Sequence, residues 1–317
     1  MVRFDYLHKG LCAMARAHRA NTMVGHLGAA VTAGYFFGEE RTDLDPRIYA
    51  AVEGELDRIM GGGETIWYDQ EKAGLPIADL FKPFPDHPPV ENPGAAIAKA
   101  LMNNLAETRQ SGHNVIFASL AIRALRDHPE QAGAKIVSGI GKLIAGFDKV
   151  GPGRGYYGRE KGWKQGNAVL LEDGDGVPPY RSTLDMAARV VAELIQSAPL
   201  RRRGFGGLFH LINHAAALLE LERLGYPELV RTGLPAHRRH LRLWKSLPDL
   251  SGELGPLVKA ERNPTDPAYW PHPESAQWSG WLTHRVKTLF GFSVLLETVR
   301  DAGQRQEAEK QFLYLMA

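Results

Sequence analysis

A repeated order of predicted helices runs along the 317-residue chain and limits the folds that it can adopt. Each unit consists of a first helix, a strongly apolar second helix that opens near a histidine, and an amphipathic third helix. The second helices are GHLGAAVTAGYFF with His26, GHNVIFASLAIRAL with His113, FHLINHAAALLELERLG with His210 and THRVKTLFGFSVLLETV with His284. In the first three units a proline, favoured at the first helical position, is predicted to open the third helix. These prolines are Pro46, Pro129 and Pro227.

The sequence predicts an all-α fold, because alternating apolar patterns typical of strands are rare. Helices are predicted near 4–17, 22–38, 46–61, 94–110, 112–127, 129–148, 182–197, 206–225, 227–246, 281–299 and 302–315. We expect a single helical domain over 1–317, with repeat units of about 1–92, 93–180 and 181–280 and a partial unit 281–317. Helices that are apolar nearly all round must be buried, so the repeat suggests an α/α toroid or a compact helical array around a central space.

A long segment rich in Gly, Pro and aromatic residues follows each third helix. Loops of this length usually serve a function or are disordered, and their Trp and Tyr content argues against disorder. Their aromatic side chains are expected either to line a pocket that stacks on a ligand or to anchor the loops to the helices. The predicted substrate-binding residues are Trp67, Tyr68, Tyr156, Tyr157, Trp270 and Trp281, and Trp163, Tyr269 and Trp278 share these loops.

His210 and His214 lie four residues apart, so an α-helix places both on one face. Such a pair can chelate a divalent metal ion such as Zn or Fe if a third ligand completes the site. The other repeat histidines and the carboxylates of Glu64, Asp69 and Glu274 are candidates for that ligand. The alternative is structural, because a buried imidazole also persists when it is hydrogen-bonded to backbone. His214 has no counterpart in the other units, so duplication does not explain it.

Other motifs give weaker indications. The sequence PLRRRGFGG at 199–207 places arginines and glycines before a helix, which suits an anion, but no strand precedes it as in a dinucleotide-binding fold. In AHRRHLRLW, His237 and His240 stand beside three arginines that would oppose a metal, so we expect a surface helix. No nucleophile elbow or phosphate-binding loop is present.

Bulk composition excludes several classes of partner. The formal net charge is only +2, so neither nucleic acid nor a membrane surface is an expected partner, and a small molecule is. Cys12 is the single cysteine, which rules out an intrachain disulfide and fits a reducing compartment. No signal peptide and no membrane span are predicted, so we expect a cytoplasmic protein; the sequence does not predict its oligomeric state.

The four histidine-initiated helices resemble, in order and character, those of the questin oxidase-like proteins. The similarity spans most of the chain through short motifs: GHLGAAVTAGYFFGEE, SGHNVIFASLAIRALRDHPE, FHLINHAAALLEL and THRVKTLFGFSVLLETVRDAG. The resemblance implies oxidative opening of a flat aromatic ring in a Baeyer–Villiger manner, with a reduced nicotinamide as cofactor. It also implies a catalytic role for His26, His113, His210 and His284.

We therefore expect a monooxygenase-like oxidoreductase that acts on a small aromatic or polyketide-like substrate in a histidine-lined cavity. His210 and His214 are the predicted general base or metal ligands, His113 and His284 are expected to orient a substrate oxygen, and Trp67 and Tyr68 to stack on the ring. The alternatives are a metal-dependent hydrolase or lyase that uses the same histidines, and a non-catalytic helical-repeat binding module.

Overall fold

The computed structural model describes residues 1–64, 66–85, 88–172, 176–270 and 280–317, and these are mostly helical. The predicted all-α class is confirmed. The helices are α1 (Asp5–Ala17), α2 (Gly25–Glu40), α3 (Pro46–Met60), α4 (Gln70–Ala73), α5 (Ile77–Leu80), α6 (Pro93–Met102), α7 (His113–Asp127), α8 (Ala134–Ala145), α9 (Thr183–Ser197), α10 (Gly207–Arg223), α11 (Pro227–Lys245), α12 (Ser251–Leu254), α13 (Trp281–Leu296) and α14 (Ala302–Phe312).

Two predicted helices prove shorter than expected. The helix predicted over 94–110 ends at Met102, and Gln110 and Ser111 have φ values of 40° and 60°, which no α-helix accommodates. The prediction that Pro129 opens a third helix is wrong. Pro129 begins a short 3-10 turn, and Gly133 with ψ 142° separates that turn from α8. Pro46 and Pro227 do occupy the first positions of α3 and α11, as predicted.

A small antiparallel sheet lies in the segment that was predicted to be an irregular loop. Strand β1 (Arg154–Tyr156) pairs with β2 (Trp163–Gln165), and Arg154 lies opposite Gln165. The backbone of β1 also bonds to the arginine- and glycine-rich segment: the Phe205 N–H donates to the Arg154 carbonyl at 2.8 Å. A Cβ on Gly204 would lie 2.3 Å from Gly155 Cα. Glycine at 204 therefore permits a close backbone contact with β1, and an anion site in this segment stays a prediction.

The chain forms two compact units. Unit 1 comprises residues 1–103, 116–148 and 264–290, and unit 2 comprises residues 104–115, 149–263 and 291–317. In unit 1, α1 packs against α2 and α8, while α3 packs on α2 and α6 on α8. In unit 2, α10 packs against α9 and α11, and α14 packs on α9. The single domain, its repeat boundaries and the toroid stay predictions.

The apolar second helices are buried, as their composition predicts. In α2 every residue from Gly25 to Gly38 is buried, and in α10 burial extends from His210 to Leu221. Small residues allow this in unit 1, because a Cβ on Gly28 would lie 2.5 Å from Met14 N of α1. Of the helices that the structure describes, none is long and apolar enough to cross a bilayer.

The contact between α1 and α8 offers a matched pair of substitutions in one helix. A Cβ on Gly139 would lie 2.3 Å from the Ala15 carbonyl oxygen, whereas a Cβ on Gly141 meets nothing within 4 Å. We expect Gly139→Ala to destabilise the protein by about 1–3 kcal/mol through overpacking. Gly141→Ala should stabilise it by about 0.5–1 kcal/mol through helix propensity. Urea denaturation of both variants checks this; equal effects would contradict the close helix contact.

Candidate functional sites

The four repeat histidines lie in the first turns of their helices and come together as one pair in each unit. In unit 1 the His26 and His284 ring centroids are 5.1 Å apart. In unit 2 the His113 and His210 ring centroids are 4.3 Å apart. His284 is half-buried, and the other three are almost fully buried. The repeat therefore does bring imidazoles into mutual contact within each unit.

Three of these rings are held by the same local hydrogen bond. The Nδ1 atoms pair with backbone carbonyls at the start of the helix: His26 with Met23 at 2.7 Å, His284 with Gly280 at 2.5 Å, and His113 with Gln110. Because a carbonyl only accepts, we assign the proton to Nδ1, which leaves Nε2 of each neutral ring as an acceptor. The structural role considered from the sequence is thus real, and it also sets the tautomer of each ring.

Around the unit 1 pair, Glu64 and Trp67 form a connected network. The Trp67 ring stacks on His26 with centroids 4.1 Å apart and an interplanar angle of 4°. Its Nε1–H donates to Glu64 Oε2 at 3.2 Å and to Thr283 Oγ1 at 3.3 Å. Trp67 was predicted to stack on a substrate; the structure places its ring against His26, where it orients the imidazole.

Glu64 is fully buried and caps the start of α13, the helix that carries His284. Its Oε1 accepts the Leu282 N–H at 2.7 Å, and its Oε2 accepts the N–H of Thr283 at 3.1 Å and the Thr283 hydroxyl at 2.6 Å. A carboxylate at a helix N-terminus is stabilised by the free N–H groups and the helix dipole. Capping, rather than metal binding, accounts for the burial of Glu64.

Lys287 is a functional candidate that sequence reasoning missed. It follows His284 by one helical turn, is only 2% exposed, and its Nζ lies 5.9 Å from the Phe117 ring centroid. Among the residues that the structure describes, Nζ has no hydrogen-bond partner. Burial lowers the pKa of Lys287 to about 7, against a smaller opposing effect of Glu64. The sequence signal was a lone lysine within the apolar stretch of α13.

His284 faces the same amine, and its protonation is suppressed. Burial, and then the Lys287 charge, lower the pKa of His284 to about 3, although its bond to Gly280 acts in the opposite direction. At neutral pH the site therefore combines neutral imidazole with an amine that is half protonated. We call His26, Glu64, Trp67, His284 and Lys287 the Lys287 cluster.

The other predicted substrate-binding aromatics make local contacts. The Tyr68 hydroxyl donates to the Leu75 carbonyl, and Trp270 Nε1–H donates to the Pro264 carbonyl at 2.8 Å. The Trp281 ring lies 3.9 Å from the Arg285 guanidinium. In unit 2, Tyr156 donates to Glu253 and Tyr157 bonds to Ser246, each at 2.7 Å. These contacts suit the anchoring role, and substrate binding by these residues stays a prediction.

Of three further candidates from the sequence, the structure describes one. Asp69 is exposed. Glu274 and Trp278 lie outside the described residues, so their predicted roles stay predictions.

In unit 2, His214 lies against two histidines of α11 that were predicted to be on the surface. That prediction is wrong: His237 and His240 are 0% exposed, and their rings lie 4.9 and 5.6 Å from that of His214. The physical reason is the helical period, because both belong to the face of α11 that carries Val230, Gly233 and Trp244, all buried. The neighbouring arginines point elsewhere, as when Arg239 donates to Glu107 at 3.0 Å.

A chain of hydrogen bonds orients these rings. His240 Nε2–H donates to the Phe205 carbonyl at 2.8 Å, so its Nδ1 accepts from His214 Nδ1–H at 3.3 Å. His237 Nε2–H donates to the Leu211 carbonyl at 3.3 Å, and its Nδ1 accepts the Tyr180 hydroxyl at 3.1 Å. These assignments leave His214 Nε2 as a bare acceptor, which has no partner among the described residues.

Tyr180, His214, His237 and His240 form the His214 cluster, and burial keeps its three imidazole rings neutral. It lowers the pKa of His237 to about 3 and that of His240 to about 4. The pKa of His214 lies well below its usual value, first through burial and then through the neighbouring His237, His240 and His113. Gly112 lets the backbone approach, since a Cβ there would lie 2.6 Å from His214 Nδ1.

The predicted metal pair is divided between two sets of neighbours. His210 contacts the His113 ring, whereas His214 uses its Nδ1 with His240. The remaining Nε2 lone pair of His214 is the kind of donor that a Zn or Fe ion binds. Metal binding by His210 and His214 stays a prediction.

No family model, curated protein or solved structure matches the chain. The resemblance to the questin oxidase-like proteins therefore stays a prediction. Any functional assignment depends on the chemistry of the two clusters.

The His214 cluster predicts a loss of stability on mild acidification. Below pH 6.5 the unfolded histidines bind protons while the buried rings stay neutral, so the free energy of unfolding should fall between pH 6.5 and 5. Each buried histidine contributes about 1.4 kcal/mol per pH unit, and the plateau should lie above pH 6.5. His237→Leu should reduce the slope of the free energy of unfolding against pH by the contribution of one histidine. Urea denaturation across this range measures it; identical slopes in the two proteins would contradict the buried neutral state.

Proposed function

We propose that this protein is an enzyme that performs acid–base chemistry on a small aromatic or polyketide-like molecule, with Lys287 as the proton-transferring group and His284 as a hydrogen-bond acceptor for the substrate. The observation that carries the proposal is the buried Lys287 amine, whose Nζ has no partner among the described residues. Burying an unpaired amine opposes folding, and such groups are concentrated at functional sites. A lysine of this kind is a known form of general base.

The two groups divide the proton chemistry by their basicity. With a pKa of about 7, Lys287 accepts a proton when neutral and returns one when charged, close to the optimum for a catalytic group at physiological pH. His284 has a pKa of about 3, so its Nε2 acts as a hydrogen-bond acceptor that holds a substrate hydroxyl. Trp67 and Glu64 are positioning residues, because they fix His26 and the start of α13.

In its specific form, the proposed reaction is a monooxygenation. In such a reaction one atom of dioxygen would enter next to a ketone carbon and the other would leave as water, with two electrons taken from a reduced nicotinamide. The resemblance of the histidine-initiated helices supports this form. The described residues present no glycine-rich turn between a strand and a helix that would cradle a dinucleotide, so they do not fit that cofactor by this criterion. Proton transfer by Lys287 and hydrogen-bond acceptance by His284 do not depend on the nicotinamide cofactor.

We further propose a small molecule as the partner, rather than nucleic acid or membrane, and a cytoplasmic location. The support for the partner is the net charge of +2, which creates no extended field. The support for the location is Cys12, a buried free thiol that a reducing compartment preserves.

A second candidate function, a metal-dependent hydrolase or lyase, is favoured by one observation in unit 2. The bare Nε2 of His214 is buried and oriented by its bond to His240, as is typical of metal-binding imidazoles. This candidate predicts stoichiometric Zn or Fe in the purified protein, measured by elemental analysis, and its loss in His214→Ala. His18→Ala, which changes another histidine, is the control. Metal-free protein would contradict this candidate and leave the Lys287 proposal unaffected.

The Lys287 proposal predicts opposite effects of Lys287→Met on stability and on turnover. Because the pKa of Lys287 is lowered, its amine reduces the free energy of unfolding at pH values below 10.5, and the reduction is complete below about pH 7. Removing the amine should therefore stabilise the protein by up to about 4 kcal/mol at pH 7. Turnover should be lost, because the proton acceptor is gone. Lys99→Met, at an exposed position in α6, should change neither.

Two measurements test this prediction. Carbon-detected NMR of labelled lysines should show one amine that titrates near pH 7 and is absent from Lys287→Met. Oxygen uptake and product analysis with aromatic ketones and a reduced nicotinamide should show turnover by the wild type and Lys99→Met, and none by Lys287→Met. An amine that titrates near pH 10.5 would overturn the acid–base role. An amine that titrates near pH 7 in a protein that takes up no oxygen would overturn only the monooxygenase form.

A further inference from the structure

A basic cavity of about 390 Å³ lies in unit 1, between the end of α1 and one face of α8. Its lining includes five side chains that are cationic or can become so: Arg16, His18, Arg19, Lys135 and Lys142. No acidic side chain among the described residues lines it. Neither the Lys287 cluster nor the His214 cluster contributes to this cavity.

Close packing and a fixed loop build its walls. Contact at Gly139 brings α8 onto the backbone of Ala15, and Lys135, Ser138 and Lys142 follow one face of α8. On the opposite side, the Arg16 guanidinium donates to the carbonyls of Leu80 at 3.0 Å and Lys82 at 2.5 Å. The same guanidinium lies 3.7 Å from the centroid of the Phe84 ring, which is part of the lining. Arg16 is therefore part of the wall.

Three cations of the cavity have no counter-charge in the part of the chain that the structure describes. Arg19, Lys135 and Lys142 are exposed, and among the described residues none of them forms an ion pair or a side-chain hydrogen bond. Their charge is felt locally: after burial, Lys142 and Arg19 contribute to the lowered pKa of His18. Elsewhere in unit 1, surface cations such as Arg41 and Arg47 do have carboxylate partners. The cavity therefore concentrates positive charge in a concave site.

We propose that this cavity binds a small molecule that bears at least two negative charges on phosphate groups. Three cations without counter-charges among the described residues attract an anion of this charge, and the Ser138 hydroxyl supplies a further donor. A volume of about 390 Å³ lies in the range of small-molecule sites, and Phe84 offers an aromatic wall for an organic group.

The surroundings limit where the phosphates lie. A second, smaller cavity of about 60 Å³ shares Phe84 and Lys135 with the first and is lined by Glu130. This carboxylate repels an anion from that side. The phosphates are therefore expected beside Arg19 and Lys142, with the organic group toward Phe84.

Calorimetric titration at low ionic strength tests the proposal with pyrophosphate, ADP and adenosine. Pyrophosphate and ADP should bind with a stoichiometry of one, and uncharged adenosine should not bind. Combining Arg19→Glu with Lys142→Glu should weaken the binding of pyrophosphate and of ADP by about tenfold or more, because two attractive charges become repulsive. Lys99→Glu makes the same kind of change at an exposed position of unit 1 outside the cavity, and should leave affinity unchanged.

Failure of binding by pyrophosphate and ADP at millimolar concentration would overturn the proposal. Equal weakening by Lys99→Glu would also overturn it, since binding would then follow net charge and not the cavity. Both charged positions are exposed, so the double variant should retain its fold, which circular dichroism checks. Activity is not a readout of these measurements, so their result is independent of the proposed enzyme function.

Discussion

The hydrogen-bond requirement of buried imidazole determines the chemistry of both clusters. A histidine that enters an apolar helix must keep its N–H bonded, and the first turn of the helix supplies a carbonyl within reach. His26, His113 and His284 use that carbonyl through Nδ1, so the tautomer follows from the backbone. What remains is an unprotonated Nε2 on a neutral ring. One structural bond thus produces both a stable buried histidine and a fixed acceptor.

The two clusters differ in the group that breaks this pattern of neutrality. In unit 2 the imidazole rings of the His214 cluster are neutral. The lone pair of His214 Nε2 has no hydrogen-bond partner among the described residues. In unit 1 a lysine is added one turn beyond His284, and its proton is labile near neutral pH. Burial lowers the pKa of Lys287, and burial together with the Lys287 charge lowers the pKa of His284. The unit 1 site can exchange protons at pH 7; the unit 2 site is suited to accept a hydrogen bond or a ligand.

Local patterns predicted the helices well, because burial of α2 and α10 follows directly from their composition. They also predicted that the repeat histidines would lie at helix starts. The same patterns contained His237 and His240, on the buried period of α11, but the adjacent arginines were given more weight than the period. Lys287 required tertiary information: only the packing around α13 shows that its amine has no hydrogen-bond partner among the described residues. The hairpin was missed because strands of three residues are too short to show alternation.

Glu64 connects distant parts of the chain. Its carboxylate closes the first turn of α13, although more than 200 residues separate the two in sequence. Unit 1 as a whole is assembled from three segments, the last of which ends at residue 290. During synthesis, α1, α2 and α8 emerge first, and the carboxylate of Glu64 lacks its partners on α13 until this last segment follows. The Lys287 cluster is therefore one of the last parts of unit 1 to form on the ribosome, and truncation before Trp281 removes His284 and Lys287 while leaving α1, α2, α3, α6 and α8 present.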